Sequence, residues 1–248
     1  MSPAGTGPVE PLDWDSHFWG VSAARVHADD ADGLKRAVAD CDRNGIVWVS
    51  LLVPSERPDL VVVAVETGFV PVDVRITLAA GVTDSELTTG PSDEQLADES
   101  DMDALATIAR DAFTMSRFFA DPNLPDARCA DFYETWIRNS IGGPLADAVI
   151  VERGDDGIEG FITIRRSTVD DATLPLVAVR PDRQGRGIGR AMMASTQRWF
   201  AANGVRRVEV TTQLANVPAI RLYEAHGFRV DRSGMWLHRW SPNAGATV

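Results

Sequence analysis

Lysine is nearly missing from this chain: of its 24 basic residues Lys35 is the lone lysine, and arginine supplies the rest. No polybasic run therefore exists to hold a membrane surface. With 36 acidic residues and a net charge of −12, the balance also argues against nucleic acid, which selects clustered Lys and Arg. Histidine is scarce too, with four scattered copies. Neither an HxxEH nor a CxxC spacing occurs, so no metal site is expected. The two cysteines, Cys41 and Cys129, lie far apart and read as small buried residues of a reducing compartment. Long apolar runs are absent. Ile46–Val53 and Leu60–Val65 fall well short of the ~20 residues that span a bilayer. The first basic residue is Arg25, which leaves the N-terminal segment without the charged start of a signal peptide. These absences together read as a cytoplasmic protein with neither a membrane nor a nucleic-acid partner.

What is present is an ordinary globular composition, 44% hydrophobic over 248 residues, enough for one large or two modest domains. Residues 1–80 alternate element types. Val21–His27 reads as a strand, Ala31–Asp42 as a helix, Ile46–Val53 and Phe69–Leu78 as strands. Asp59–Thr67 is ambiguous, since its valines favour a strand while Gly68 fits a helix end. Around residues 81–93 the composition turns acidic, with Gly90-Pro91 inside the run. It reads as a solvated linker. Residues 94–240 open with Ser100-x-x-Asp103, a capping-box pattern. Helix Ala130–Ser140, strands Ala148–Glu152, Gly160–Arg165 and Leu174–Val179, and helix Gly189–Ala202 follow. Strand Arg207–Thr212, helix Pro218–His226 and strand Gly234–Arg239 complete an α/β chain. Met1–Pro8 and the tail 241–248 read as loose ends.

The most informative stretch is LVAVRPDRQGRGIGRA, Leu176–Ala191. An apolar strand runs into a glycine loop and then a helix, which brings backbone N–H groups and the positive helix end to one anion. Arg180, Arg183, Arg186 and Arg190 against Asp182 make the stretch locally basic in an acidic chain. A Walker loop fails for want of lysine, and a Rossmann loop fails on spacing and on its late position. Gln184-x-x-Gly187-x-Gly189 instead matches the loop by which GCN5-related N-acetyltransferases hold the coenzyme A pyrophosphate. Asn216, followed seven residues later by Tyr223 within RLYEAHGF, is similar to that family's next helix. Finer fragments resemble one branch, the bacterial dTDP-fucosamine acetyltransferases. They include EPLDWDS at Glu10–Ser16, Ala112-Phe113 with Ser116-Arg117-Phe118, and Phe132-Tyr133 with Trp136-Ile137. Gly160–Arg165, Thr212-Gln213 with Asn216, and Trp236-Leu237 continue the match.

This resemblance implies the family's mixed, mostly antiparallel sheet flanked by helices, behind a small N-terminal α/β domain. It also implies acetyl-CoA as cosubstrate, with no metal. Val177, Ala178 and Val179 would hold the pantetheine as an added strand does. Gln184, Gly185, Arg186, Gly187, Ile188, Gly189 and Arg190 would take the pyrophosphate, and Asn216, Ala219 and Tyr223 would complete the coenzyme site. Tyr223 is expected to protonate the departing thiolate, and Asp73, where the branch carries Glu, to act as base. Ser116, Arg117 and Phe118, in a loop between two helices, are expected to meet the acceptor, with Arg117 on a diphosphate. The expected partner is a small-molecule amine, foremost a dTDP-amino sugar, with a homodimer left open. Two other readings stay open: a different amine, such as an antibiotic, an amino acid or a protein N-terminus, and a non-catalytic acyl-CoA binder. Pro175 marks an interruption in the strand ladder, where the coenzyme would enter.

Overall fold

The computed structural model describes residues 8–82 and 95–241. The acidic run expected as a linker (81–93) and both terminal segments lie almost wholly outside the described residues. The chain first forms β1 (Val9–Pro11), α1 (Asp13–Trp19), β2 (Ala23–Val26), α2 (Ala31–Arg43), β3 (Trp48–Pro54), α3 (Pro58–Glu66) and β4 (Val70–Gly81). It continues with α4 (Met102–Ala112), α5 (Asp126–Arg138), β5 (Ala148–Gly154), β6 (Gly157–Arg166), β7 (Asp171–Leu174) and β8 (Val177–Val179). Then come α6 (Ile188–Ala202), β9 (Arg207–Gln213), α7 (Val217–Ala225) and β10 (Arg229–Trp240).

Local chemistry accounts for most of these elements. Asp30 caps α2 by accepting from the Gly33 N–H at 2.6 Å, and Leu34, Ala37, Val38 and Cys41 form its buried stripe. The ambiguous valine run is a helix. Pro58 sits in its first turn, Leu60 and Ala64 are buried one turn apart, and Gly68 follows it at φ +91°. The capping box before α4 lies two residues earlier than expected: Asp98 accepts from the Ser100 N–H, and Asp101 accepts from the Asp98 N–H. The shift arises because a 3₁₀ turn, Glu99–Asp101, precedes α4, while two 2.8 Å bonds from Arg153 hold the buried Asp101 carboxylate there. Leu174–Val179 is not one strand. It breaks at Pro175-Leu176, where proline has no N–H for the ladder. The short elements β1 and α1 carry too few periodic residues to be seen in the sequence.

Ten strands form one sheet in the order β1-β2-β3-β10-β4-β9-β7-β6-β5, with β8 joined to β6 alone. Among the described residues only β2/β3 and β7/β9 pair in parallel; the other pairings are antiparallel. Strand alternation then sorts side chains onto two faces. One face sends Val49, Leu51, Val53 and Leu237 against α2 and α3. Further along the same face, Ile76, Leu78, Val208 and Val210 pack under α6 and α7. The opposite face meets α1, α4 and α5 through an aromatic core built on Trp19, Trp48, Phe118 and Phe132. The register places a polar set on that second face: Arg25 beside Ser50, Ser50 beside His238, Trp236 beside Asp73, and Arg75 beside Gln213.

Candidate active site

The break at Pro175 opens the sheet. Upstream of it β7 pairs with β9, whereas downstream β8 keeps only β6, through Val177–Ile162, Ala178–Phe161 and Val179–Gly160. The free edge of β8 borders a cavity of about 1680 Å³ that reaches both faces of the sheet. Val177, Ala178, Val179, Gln184, Gly185, Gly187, Ile188, Gly189, Arg190, Asn216, Ala219 and Tyr223 all line it. Arg186 does not.

The glycine loop enters α6 through two residues with positive φ, Gly185 at +77° and Gly187 at +87°. Neither would bring a Cβ within 4 Å of other atoms, so backbone conformation and open space, rather than protein packing, demand glycine there. Gly189 differs: a Cβ on it would meet Leu222 Cδ2 at 3.0 Å, so it permits α6 to approach α7. The basic cluster is smaller than its count implies. Arg180 forms two bonds to Asp182, at 3.0 and 2.8 Å, and Arg183 pairs with Asp156 and Glu159. Arg186 and Arg190 have no carboxylate partner among the described residues. Positive potential at the loop therefore rests on these two and on the first turn of α6. The residues fit a diphosphate: open backbone at a helix start, with Arg190 on the cavity wall and Arg186 adding charge from the same loop.

Asn216 caps α7, accepting from the Ala219 N–H at 3.3 Å. This directs the helix so that Tyr223, about two turns on, lies under α6 against Phe228 and on the cavity wall. Its ring is buried, and burial pushes its phenol well above the usual range. The hydroxyl therefore keeps its proton throughout the neutral range.

The far end of the cavity belongs to the polar face of the sheet. Asp73 on β4 lies opposite Trp236 where the β4/β10 register shifts, a bulge of the kind that redirects a side chain at a site. Burial raises its carboxyl to about 6, against the opposing pull of Arg117 and Arg75. Ser116, Arg117 and Phe118 lie in the connection between α4 and α5, as expected, and all three line the cavity. Arg117 is half-buried. Its guanidinium stacks between the Phe118 and Trp236 rings, at 4.3 and 4.2 Å from their centroids. It also donates to His238 Nε2 at 3.0 Å. His238 Nδ1 in turn faces Asp121 at 2.7 Å, and Trp240 Nε1 donates to the same carboxylate oxygen at 2.9 Å. Burial drives the imidazole down to about 4, so it is neutral, with Nδ1–H toward Asp121 and Nε2 free to accept. Asp121, His238 and the two rings thus hold Arg117 in one place. Phe118 presents one face to Arg117 and packs with Phe132 and Trp19. Ser116 is buried beside the Tyr133 phenol.

Sequence reasoning missed Arg25, Arg75, Asp121 and His238. Asp73 and Arg75, both charged and two apart within a Val/Ile strand, carried a detectable signal, because such a pair must share one face. His238 and Asp121 carried none, being far apart in the chain.

Residues 102–228 match the model of the acetyltransferase (GNAT) family. A dTDP-fucosamine acetyltransferase of Escherichia coli O6:H1 is 30% identical over 93% of this chain and 97% of its own. The spore coat polysaccharide biosynthesis protein SpsD of Bacillus subtilis is 34% identical over 56% of this chain and 48% of its own. Among solved structures, a GCN5-related N-acetyltransferase from Sphaerobacter thermophilus superposes with a TM-score of 0.63. It covers 97% of this chain and 79% of its own at 17% identity, a likeness of fold. Among the described residues no helix is long and apolar enough to cross a membrane. The chain belongs to the GNAT family of acetyltransferases, whose cosubstrate is acetyl-CoA.

Proposed function

We propose that the protein N-acetylates the amino group of a nucleotide-linked amino-deoxy sugar, with dTDP as the nucleotide, by direct transfer within a ternary complex. The observation that carries this reading is one continuous cavity with an open glycine loop at one end and a fixed, aromatic-stacked arginine beside a carboxylate at the other. Resemblance to a dTDP-fucosamine acetyltransferase along nearly the whole chain supports the choice of acceptor.

In this mechanism the free edge of β8 lies along the pantetheine, and one of its N–H groups polarises the thioester carbonyl. The loop from Gln184 to Arg190 takes the pyrophosphate, with Asn216 and Ala219 at the start of α7 completing the coenzyme site. Asp73 removes a proton from the acceptor ammonium, directly or through water, and frees the lone pair. The amine nitrogen adds to the carbonyl carbon, and the C–S bond breaks as Tyr223 gives its proton to the sulfur. The nitrogen's second proton passes through water, which restores the Tyr223 phenol and leaves a neutral amide. Arg117 offers its free N–H groups to the acceptor's anionic portion.

The test is a turnover panel with acetyl-CoA: dTDP-4-amino and dTDP-3-amino sugars, an aminoglycoside, free amino acids and a peptide N-terminus. The proposal expects kcat/KM for at least one dTDP-amino sugar to exceed every other acceptor by more than a hundredfold. Comparable or better turnover of a simple amine or a peptide would replace the acceptor class.

A further inference from the structure

Three guanidinium groups face the acceptor half of the cavity. Asp15 acts on Arg25 and Arg117, and Glu209 and Asp73 act on Arg75, at longer range. Among the described residues none of the three has a carboxylate within hydrogen-bonding distance. Arg117 donates to a neutral imidazole. Arg75 has only the Thr211 hydroxyl, at 3.2 Å. Arg25 comes no closer than 3.8 Å to Glu10, and its buried Nε has no partner. Glu10 lies nearer to His27, at 3.0 Å. The register puts Arg25 and Arg75 on the same sheet face, with the Trp236 ring approached by both Arg25, at 5.5 Å, and Arg117, at 4.2 Å. Partly buried cations that repel one another cost stability unless something neutralises them. Burial and the neighbouring guanidiniums hold Arg75 and Arg117 below the usual arginine range, Arg117 at about 10, against the opposing pull of Glu209 and Asp73 on Arg75 and of Asp15 on Arg117.

We infer that Arg25, Arg75 and Arg117 form a second anion cradle, separate from the glycine loop, that takes the diphosphate of the acceptor. The inference rests on the proposed nucleotide-sugar reading and adds Arg25 and Arg75, from the first eighty residues, to the machinery. The number of forks sets the ligand class. One carboxylate offers two oxygens and a single charge, whereas a diphosphate offers enough of both to engage three planar donors. Placement agrees. Asp73 and Arg75 stand two residues apart on one strand face, roughly 7 Å along β4. An acceptor bound to both carries its amine and its anion at opposite ends of a ring-sized spacer.

The experiment titrates sodium pyrophosphate, dTDP and succinate into the full-length protein saturated with coenzyme A, which keeps the glycine loop filled. Wild type is compared with Arg25→Gln and Arg75→Gln, and with Arg25→Lys and Arg75→Lys should a glutamine variant fail to fold. Retained acetyl-CoA affinity on each variant reports an intact fold. Pyrophosphate and dTDP are expected to bind wild type, to weaken steeply as salt rises, and to lose at least tenfold in affinity with each substitution; succinate binds far less. Absence of both phosphates from the coenzyme-saturated protein, undiminished binding in the folded variants, or succinate binding as well as pyrophosphate would overturn the cradle. Acetylation of a dTDP-amino sugar at unchanged KM in both variants would discard the cradle and keep the proposed function. Arginine-dependent pyrophosphate binding without turnover of any dTDP-amino sugar would do the reverse.

Discussion

Two side chains with opposite demands bracket the proposed reaction, and burial raises the pKa of both. Tyr223 must hold a proton until a thiolate needs it, and its buried phenol is pushed far above neutrality. Asp73 must give up its proton near neutral pH, yet remain basic enough to take one back from an amine; a carboxyl raised to about 6 does so. Tyr223→Phe keeps the ring contact with Phe228 and deletes only the hydroxyl. We expect kcat to fall by roughly 10²–10⁴, the range for a lost general acid, with acetyl-CoA affinity nearly unchanged. Near-normal turnover with a lowered melting temperature would assign Tyr223 to packing alone. For Asp73 the sign is fixed by the raised pKa. The group is protonated and inactive below about 6 and ionised above it, so kcat/KM should rise with pH through that value. Asp73→Asn should lower the rate and remove this acid limb; an Asn variant that keeps the limb would place the base elsewhere.

At the scale of the element, the loop between β8 and α6 was legible because everything it needs is contiguous. Strand, glycines and helix follow one another between Leu176 and Ala191, and each glycine's role can be read from spacing alone. Its charge was less legible. Four arginines in the sequence reduce to two uncommitted ones, since Asp156 and Glu159, on or beside the neighbouring β5–β6 turn, capture Arg183. The acceptor end was hardest to read. It gathers β2, β4, β10 and the α4–α5 connection, and the register that aligns Arg25, Asp73, Arg75 and His238 arises only from strand pairing. Arg117 was found in the sequence, but what fixes it, His238 and Asp121, was not. The loop also gives a sharp test. In Gly187→Val a branched side chain must adopt φ +87° and then occupy the space where a phosphate would lie against the backbone. Acetyl-CoA affinity measured by calorimetry should fall by more than tenfold, about 1.4 kcal/mol or more, while the acceptor end still binds its ligand. Unchanged affinity in a folded variant would remove the loop from the coenzyme site.

Across the whole molecule, the final strand crosses the division suggested by composition. β10 lies between β3 and β4, pairing with β3 from Gly234 to Trp240 and with β4 from Arg229 to His238. β4 also supplies the antiparallel partner of β9, from Arg75 to Gly81. The first block thus provides three neighbouring strand contacts to the second, while its own core around Leu34, Leu51 and Leu60 closes on Leu237 from β10. Removing residues 1–94 would leave both long edges of β10 and one edge of β9 unpaired. It would also expose Leu237 and Val210, which are almost fully buried, and such bare, apolar strand edges invite aggregation. Residues 95–241 produced alone should therefore be insoluble or lack a cooperative melting transition. A chain cut within 83–94 but produced as two co-expressed pieces should copurify as one complex and bind acetyl-CoA, because the strand ladders rather than the connection join the halves. A soluble, monomeric 95–241 fragment with a sharp melt and wild-type acetyl-CoA affinity would show instead that the second block carries its own complete core. In that case the first block would serve only the acceptor end, through Arg25, Asp73 and Arg75.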